Sequence, residues 1–282
     1  MIGRAVCWID GKLVRADRAS LPLTDLSVSR GYGAFEALRT YHGKPFLLEA
    51  HLQRFEATCR HLCLRPPLSR KALREVVAEV LQANGLPESL VRIYLTGGDA
   101  GGFLPEGNGR LLILADPVKP YPEWQYERGI ALKTTPLQRS IPLAKTLDYT
   151  AGIRETILAR RDGFQEIVFT NGRGHLLEGA QFNIAAVRGR RVISPVEGVL
   201  KGTTVEHLLK LAGREGFTIS REPLTTAQVK RADELFITST TRELLPVVRL
   251  DDIVIGAGTP GPVFQRLREC FRKSAVRAAR KI

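Results

Sequence analysis

Leu52, Phe55, Cys59 and Leu62 recur every three or four residues, the spacing that lays apolar side chains along one helix face, and they predict a helix over residues 49–63. A second stripe, Leu73, Val76, Val77, Val80 and Leu81, predicts another, starting from an N-cap at Ser69 and stopping at Asn84-Gly85. Shorter stretches around residues 5–9, 34–41 and 91–96 read as strands. In Val91-Arg92-Ile93-Tyr94-Leu95-Thr96 the alternation sets Arg92, Tyr94 and Thr96 on one face. Further along, residues 165–170 form a strand and Asn171-Gly172 a tight turn after it. Residues 182–187 are nearly all apolar, as in a strand buried on both faces. A helix opens at Thr203 and runs to about Gly216, with Glu206 three residues on completing a capping box.

This pattern predicts an α+β chain of two domains. Asp116-Pro117-Val118-Lys119-Pro120-Tyr121-Pro122 suits neither a helix nor a central strand. It places a linker over 116–124, between a small α+β domain (1–115) and a larger domain (125–282). The Gly-rich run from Thr96 to Phe103 lacks the Gly-Lys-Ser/Thr of a phosphate loop and reads as a loop beside an active site.

Composition changes the picture little. Of 282 residues, 44% are hydrophobic and 25% charged, ordinary values for a globular protein. No apolar run approaches a membrane span and the N-terminus shows no secretory pattern, so a cytoplasmic location is expected. Four cysteines are too few for a disulfide scaffold; Cys59 and Cys63, one turn apart, read as buried helix thiols rather than metal ligands, and no metal is expected. The net charge of +13 is concentrated in part after Arg266. Such a tail can bind nucleic acid, but no zinc-finger or RNP-type pattern accompanies it. We read it as a solvated helix face with Leu267, Cys270 and Phe271 turned inward.

Four segments carry chemistry. Lys145 lies among Leu143, Ala144 and Leu147, a setting that suits a partly desolvated nucleophilic amine; spacing alone favours a surface lysine, the usual state of that residue. Glu178 needs a partner, either a protonated ring nitrogen or one of the many arginines. Thr203 and Thr204 stand at a helix start, a natural phosphate site, where capping alone explains one of them. Ser239-Thr240-Thr241 follows the strand over 235–238, as an anion-binding turn or an ordinary polar loop.

These segments, with Arg30-Gly31-Tyr32-Gly33-Ala34-Phe35-Glu36-Ala37-Leu38-Arg39 and Leu48-Glu49-Ala50-His51-Leu52-Gln53-Arg54, resemble the fold-type IV (class IV) pyridoxal-phosphate enzymes over almost the whole chain. That family includes branched-chain aminotransferases, D-amino-acid transaminases and aminodeoxychorismate lyases. The resemblance implies a two-domain architecture whose larger part is an α/β pseudo-barrel, with pyridoxal 5'-phosphate as cofactor. It makes Lys145 the Schiff-base lysine and Glu178 the partner of the pyridine nitrogen. Arg54 would bind the phosphate, helped by Thr204, Thr240 and backbone near Thr203, with Ser239 and Thr241 also in the cofactor site, and Tyr149 would approach the phenolic oxygen. It also implies a homodimer.

Many relatives carry Gly-Ile-Thr-Arg where this chain has Gly202-Thr203-Thr204-Val205, and many branched-chain enzymes carry Gly-Thr-Ala in place of Ser239-Thr240-Thr241. The Ser-Thr-Thr version resembles D-amino-acid transaminases. So do Arg30-Gly31-Tyr32-Gly33 and the segment from Arg92 to Gly98, where Arg30 and Arg92 would grip the substrate carboxylate, with Tyr32 also in the substrate site. The expectation is therefore a transaminase moving an amino group between a D-amino acid and a 2-keto acid such as 2-oxoglutarate or pyruvate. The alternatives are a branched-chain L-amino-acid aminotransferase, an aminodeoxychorismate lyase or, outside enzymes, a basic nucleic-acid-binding protein.

Overall fold

The computed structural model describes residues 5–280, which divide into two compact units. The first takes the chain through Lys119, with Leu143–Asp148 and the residues from Ala275 onward; the second takes Pro120–Pro142 and Tyr149–Ser274. The units are thus not two continuous halves of the chain.

In the first unit the order is β1 (Val6–Ile9), β2 (Lys12–Arg15), α1 (Leu26–Arg30), β3 (Gly33–Tyr41), β4 (Lys44–Pro45), α2 (Leu48–His61), α3 (Arg70–Asn84), β5 (Ser89–Thr96) and β6 (Leu111–Pro117). Among the described residues its strands pair β2-β1-β6-β5-β3-β4, all antiparallel. The two apolar stripes become α2 and α3. Leu52, Phe55 and Cys59 pack with Leu73, Val77 and Val80 against Leu38, Val91, Ile93, Leu95 and Ile113 of the sheet. Ser69 caps α3 by accepting from the Ala72 N–H (3.3 Å), and Gly85 ends it in the left-handed region at φ 58°. Of the helix thiols, Cys59 is a core residue whose thiol burial pushes up to about 12. Cys63 is exposed, because α2 stops at His61 and Cys63 turns the chain outward at φ 55°.

The second unit holds α4 (Glu123–Arg128), β7 (Ile130–Thr135), α5 (Thr150–Arg161), β8 (Glu166–Thr170), β9 (His175–Gly179), β10 (Asn183–Arg188), β11 (Arg191–Ser194), α6 (Thr203–Arg214), β12 (Thr218–Arg221), β13 (Leu224–Thr225), α7 (Thr226–Lys230), β14 (Glu234–Ser239), β15 (Glu243–Leu250), β16 (Ile253–Val254) and most of α8 (Pro262–Arg280). Its sheet runs β12-β11-β10-β14-β15-β7-β8-β9-β13. One further pairing, Asn183 of β10 with Glu178 of β9, closes β10-β14-β15-β7-β8-β9 into a ring. The unit is therefore a pseudo-barrel. β10 is buried along Ile184–Val187, as its unbroken apolar run predicts.

The tight turn at Asn171-Gly172 forms as expected, while the capping box at Thr203 is corrected. The turn after β8 is closed by Asn171, whose side chain accepts from Arg173 N and His175 N (2.9 and 3.0 Å), and Gly174 rather than Gly172 supplies the positive φ. The helix at Thr203 has Gly202 as its N-cap, with no side-chain cap, and Glu206 pairs with Arg221 instead (2.8 Å). A Cβ at 202 would lie 1.8 Å from Asn183 Oδ1, so only glycine fits there. The capping box occurs at Thr225 and Gln228, on α7.

On α8, Leu267 and Phe271 are buried, while Arg266, Arg268, Arg272 and Lys273 each pair with a glutamate. Much of the basic tail is thus internally paired. No helix among the described residues is long and apolar enough to cross a membrane.

Candidate active site

Lys145 belongs to the first unit, where Leu143–Asp148 lies along the start of β3. Phe35 N donates to Lys145 O (2.9 Å), Lys145 N to Thr58 Oγ1 (3.1 Å), and Leu147 N to Gly33 O (3.1 Å). Gly33 permits this approach, since a Cβ there would meet Leu147 Cδ1 at 2.6 Å. The Lys145 side chain is half-buried, and its Nζ sits 4.2 Å from the centre of the Phe35 ring. An ammonium over an aromatic face is attracted electrostatically by the ring quadrupole.

Because β3 alternates, Phe35 and Glu36 face opposite sides. Phe35 stacks on Tyr94, its direct cross-strand partner, with centroids 5.9 Å apart. Arg92, two residues away on the same face, pairs with Asp116 and with Tyr94, and its Nε meets no acceptor among the described residues. Leu112 and Leu114 of β6 lie opposite Tyr94 and Arg92. This half-covered face is apolar around Phe35, Tyr94, Leu112 and Leu114, with Arg92 beside them, Arg39 and Asp116 further along and, over Phe35, the Lys145 amine.

On the other side Glu36 is fully buried. It accepts from Arg54 Nε (2.8 Å) and Nη2 (2.6 Å), from His51 Nδ1 (3.0 Å) and from Ala37 N (2.8 Å). Burial alone would push this carboxyl up; the charges and hydrogen bonds of Arg54 and His51 outweigh it and hold it well below the usual range. Burial keeps the His51 ring low, against the pull of Glu36. Arg54 is thereby oriented by a fixed carboxylate. Sequence reading singled out Arg54 and missed Glu36 and His51; the available signal was a lone carboxylate between the apolar Phe35 and Ala37 of a strand.

In the second unit three segments converge on Asn183. It is paired to Glu178 and to Thr238 in the sheet, its Nδ2 donates to Leu200 O (2.9 Å), and its Oδ1 packs against Gly202. Glu178 is buried at 5% exposure and accepts from Arg139 Nε (2.8 Å) and Nη2 (2.7 Å) and from Leu200 N (3.1 Å). The partnership with an arginine, one of the two readings open from sequence, is therefore present, and Arg139 is the residue sequence reading missed. Thr203 and Thr204 are the first two residues of α6, both buried, and Gly202 brings no side-chain oxygen to that first turn. Ser239 closes the β14–β15 turn by accepting from Arg242 N (3.2 Å), with Thr240 and Thr241 half-buried between them. Tyr149 is the N-cap residue of α5. Arg30 is exposed at the end of α1, and Tyr32 spends its hydroxyl on Leu62 O.

The Amino-transferase class IV family model matches residues 33–250. The chain belongs to that family. It is 31% identical over 273 residues to a putative branched-chain-amino-acid aminotransferase of Methanocaldococcus jannaschii, covering 94% of each chain. It is 28% identical to the branched-chain-amino-acid aminotransferase of Escherichia coli strain K12, covering 94% of this chain and 91% of that one. Among solved structures, the Escherichia coli branched-chain enzyme matches with a TM-score of 0.90 at 28% identity, over 96% of this chain and 94% of that one. A T.th. branched-chain amino acid aminotransferase, solved with pyridoxamine 5'-phosphate, matches with a TM-score of 0.92 at 26% identity, over 100% and 97%. The α+β, fold-type IV architecture is confirmed, and this class IV aminotransferase uses pyridoxal 5'-phosphate, exchanging an amino group between amino and keto acids.

The residues present fit that cofactor chemically. Glu178, ion-paired and buried, is a fixed anion of the kind a ring nitrogen needs. The uncapped start of α6, with two threonine hydroxyls, suits phosphate. Thr238 Oγ1, buried and without a hydrogen-bond partner among the described residues, adds an unsatisfied polar atom just before the hydroxyl-rich turn.

Proposed function

We propose that this enzyme transaminates branched-chain L-amino acids with a 2-keto acid as acceptor. The observation that carries this reading is the sheet face of the first unit. Phe35, Tyr94, Leu112 and Leu114 offer an apolar surface for an aliphatic side chain, Arg92 offers a guanidinium for the carboxylate, and the Lys145 amine stands over Phe35. The names of the relatives point the same way. Selection of D-amino acids, suggested by Ser239-Thr240-Thr241 and by Arg30, Tyr32 and Arg92, is the second reading. Tyr32 then serves as wall rather than ligand, since its hydroxyl is committed to Leu62.

When bound, pyridoxal phosphate supplies an aldehyde that takes up the amine and a ring that withdraws electrons from the α-carbon. Lys145 Nζ removes the proton from the substrate α-carbon. Glu178, held by Arg139, keeps the ring nitrogen protonated. Arg54, steered by Glu36, grips the phosphate with Thr203, Thr204, Ser239, Thr240 and Thr241, and Tyr149 approaches the phenolic oxygen. Arg92 orients the substrate carboxylate, with Arg30 as a second guanidinium for it. Two copies form the working unit in this reading, with a mass of twice 31.2 kDa in solution. The exposed Ile153 and Ile157, one turn apart on α5, support it.

A panel of paired D- and L-amino donors with 2-oxoglutarate, read as keto acid formed, tests the assignment. L-Leucine, L-isoleucine and L-valine should lead. Faster turnover of D-alanine or D-glutamate would transfer the assignment to the D-amino-acid reading, and release of pyruvate from aminodeoxychorismate to a lyase.

A further inference from the structure

The guanidinium of Arg242 is one of the most buried charges in the chain, with its side chain 4% exposed. It lies behind the β14–β15 turn, outside the set of residues that serve the cofactor and the substrate. Its Nη2 pairs with Glu166, and its Cζ lies 4.6 Å from the Tyr121 ring centre and 5.8 Å from that of Phe182. Its Nη1 is buried and meets no acceptor from the described residues. An unmet donor on a buried cation is costly, and native sites that keep one usually offer it to a ligand or water.

Arg242 lines a cavity of 340 Å³, large enough for a ligand of several heavy atoms. The walls are mixed. Tyr121, Phe164, Ile130 and Leu245 are apolar, Gln125 and Gln165 are neutral and polar, and Arg242 and Arg160 are cationic. Arg160 is 63% exposed and stands 3.6 Å from Glu166, which places it at the solvent side. Against two guanidinium groups the lining sets one carboxylate, Glu166, leaving one positive charge uncompensated. An ammonium group would add a third cation here.

We propose that this cavity is a second small-molecule site, taking an apolar monocarboxylate that lacks an ammonium group. The carboxylate accepts from Arg242 Nη1, Arg160 screens it at the rim, and the hydrocarbon or aryl body packs against Tyr121 and Phe164. Keto acids and simple aliphatic or aromatic acids satisfy this chemistry; amino acids do not. The backbone of Arg242 supplies a link to the turn, since its N–H donates to Ser239 Oγ (3.2 Å) and its C=O accepts from Tyr126 (3.2 Å). Resting on the reading that this turn holds phosphate, occupancy would tighten cofactor binding, and by reciprocity the cofactor would tighten carboxylate binding.

Calorimetric titration of the holoenzyme with 3-phenylpropionate tests the site without turnover, so its outcome is separate from that of the donor panel. Binding should be weakened about tenfold or more in Arg242→Gln and severalfold in the surface variant Arg160→Ala, and should persist in Arg92→Gln. 3-Phenylpropanamide and L-phenylalanine should bind this site at least about tenfold more weakly than the acid. Because Arg242→Gln can disturb the pair with Glu166, circular dichroism accompanies it, and Arg160→Ala carries the test if that variant unfolds. Binding lost in Arg92→Gln but unchanged in Arg160→Ala, equal affinity for acid and amide, or no binding at about tenfold molar excess in the millimolar range overturns the proposal.

Discussion

Glu36→Gln keeps the shape of the side chain and removes its charge, leaving Arg54 almost buried beside a neutral amide. The pair is well shielded, with side-chain exposures of 11% for Arg54 and 0% for Glu36. Breaking such a pair from one side costs ~3–5 kcal/mol, because the remaining charge stays desolvated. Glutamine still offers one acceptor to the guanidinium but confronts the second N–H with a donor, so we expect a loss near ~3 kcal/mol at pH 7.5. The pH dependence separates this cause from simple misfit. The folded Glu36 carboxyl lies well below its ordinary 4.5, so below about that pH the unfolded chain binds the proton first and stability falls as pH falls. His51, held neutral by burial below its ordinary 6.5, acts in the same direction starting from that higher pH, and it remains in the variant. The gap between wild type and Glu36→Gln should therefore narrow as pH drops from about 5 towards 3. Urea unfolding of cofactor-free protein, followed by circular dichroism across this range, measures it. A difference under ~0.5 kcal/mol at pH 7.5, or a gap that stays constant down to acid pH, would refute the argument that Glu36 is a charged anchor for Arg54.

Lys145→Ala should lower multiple-turnover transamination by at least ~100- to 10,000-fold with an unchanged circular dichroism spectrum; sustained turnover would remove Lys145 from the chemistry. Arg139→Ala strands Glu178 as a buried carboxylate without its ion pair. It should cost ~3 kcal/mol or more, read as a lower thermal midpoint and weaker cofactor retention, with Arg139→Lys intermediate. Gly202→Ala forces a Cβ into Asn183 Oδ1 at 1.8 Å and should weaken pyridoxal phosphate binding in a fluorescence titration, whereas Gly172→Ala, where a Cβ meets nothing, should leave it unchanged.

What could be read from the chain alone follows from the range of the interactions. The stripes of α2 and α3 and the Ser69 and Gly85 caps are local, complete within a few residues, and they appear where the periodicity puts them. Thr203 misled as a cap because the residue that decides the helix start is Gly202, and its reason is Asn183, distant in sequence. The same holds at the site. Lys145, Glu178 and Arg54 stand in recognisable segments, but their partners do not announce themselves. Arg139 lies 39 residues from Glu178, and Glu36 lies 18 from Arg54. Periodicity describes which face a residue takes, not which distant residue meets it there. Asn183 shows how far this goes, since the pairing that closes the barrel, Asn183 with Glu178, also carries the carboxylate read as the cofactor's partner. A slip of one residue between β9 and β10 would open the ring and turn Glu178 to the other face in the same movement. Fold and site are therefore specified together at this point.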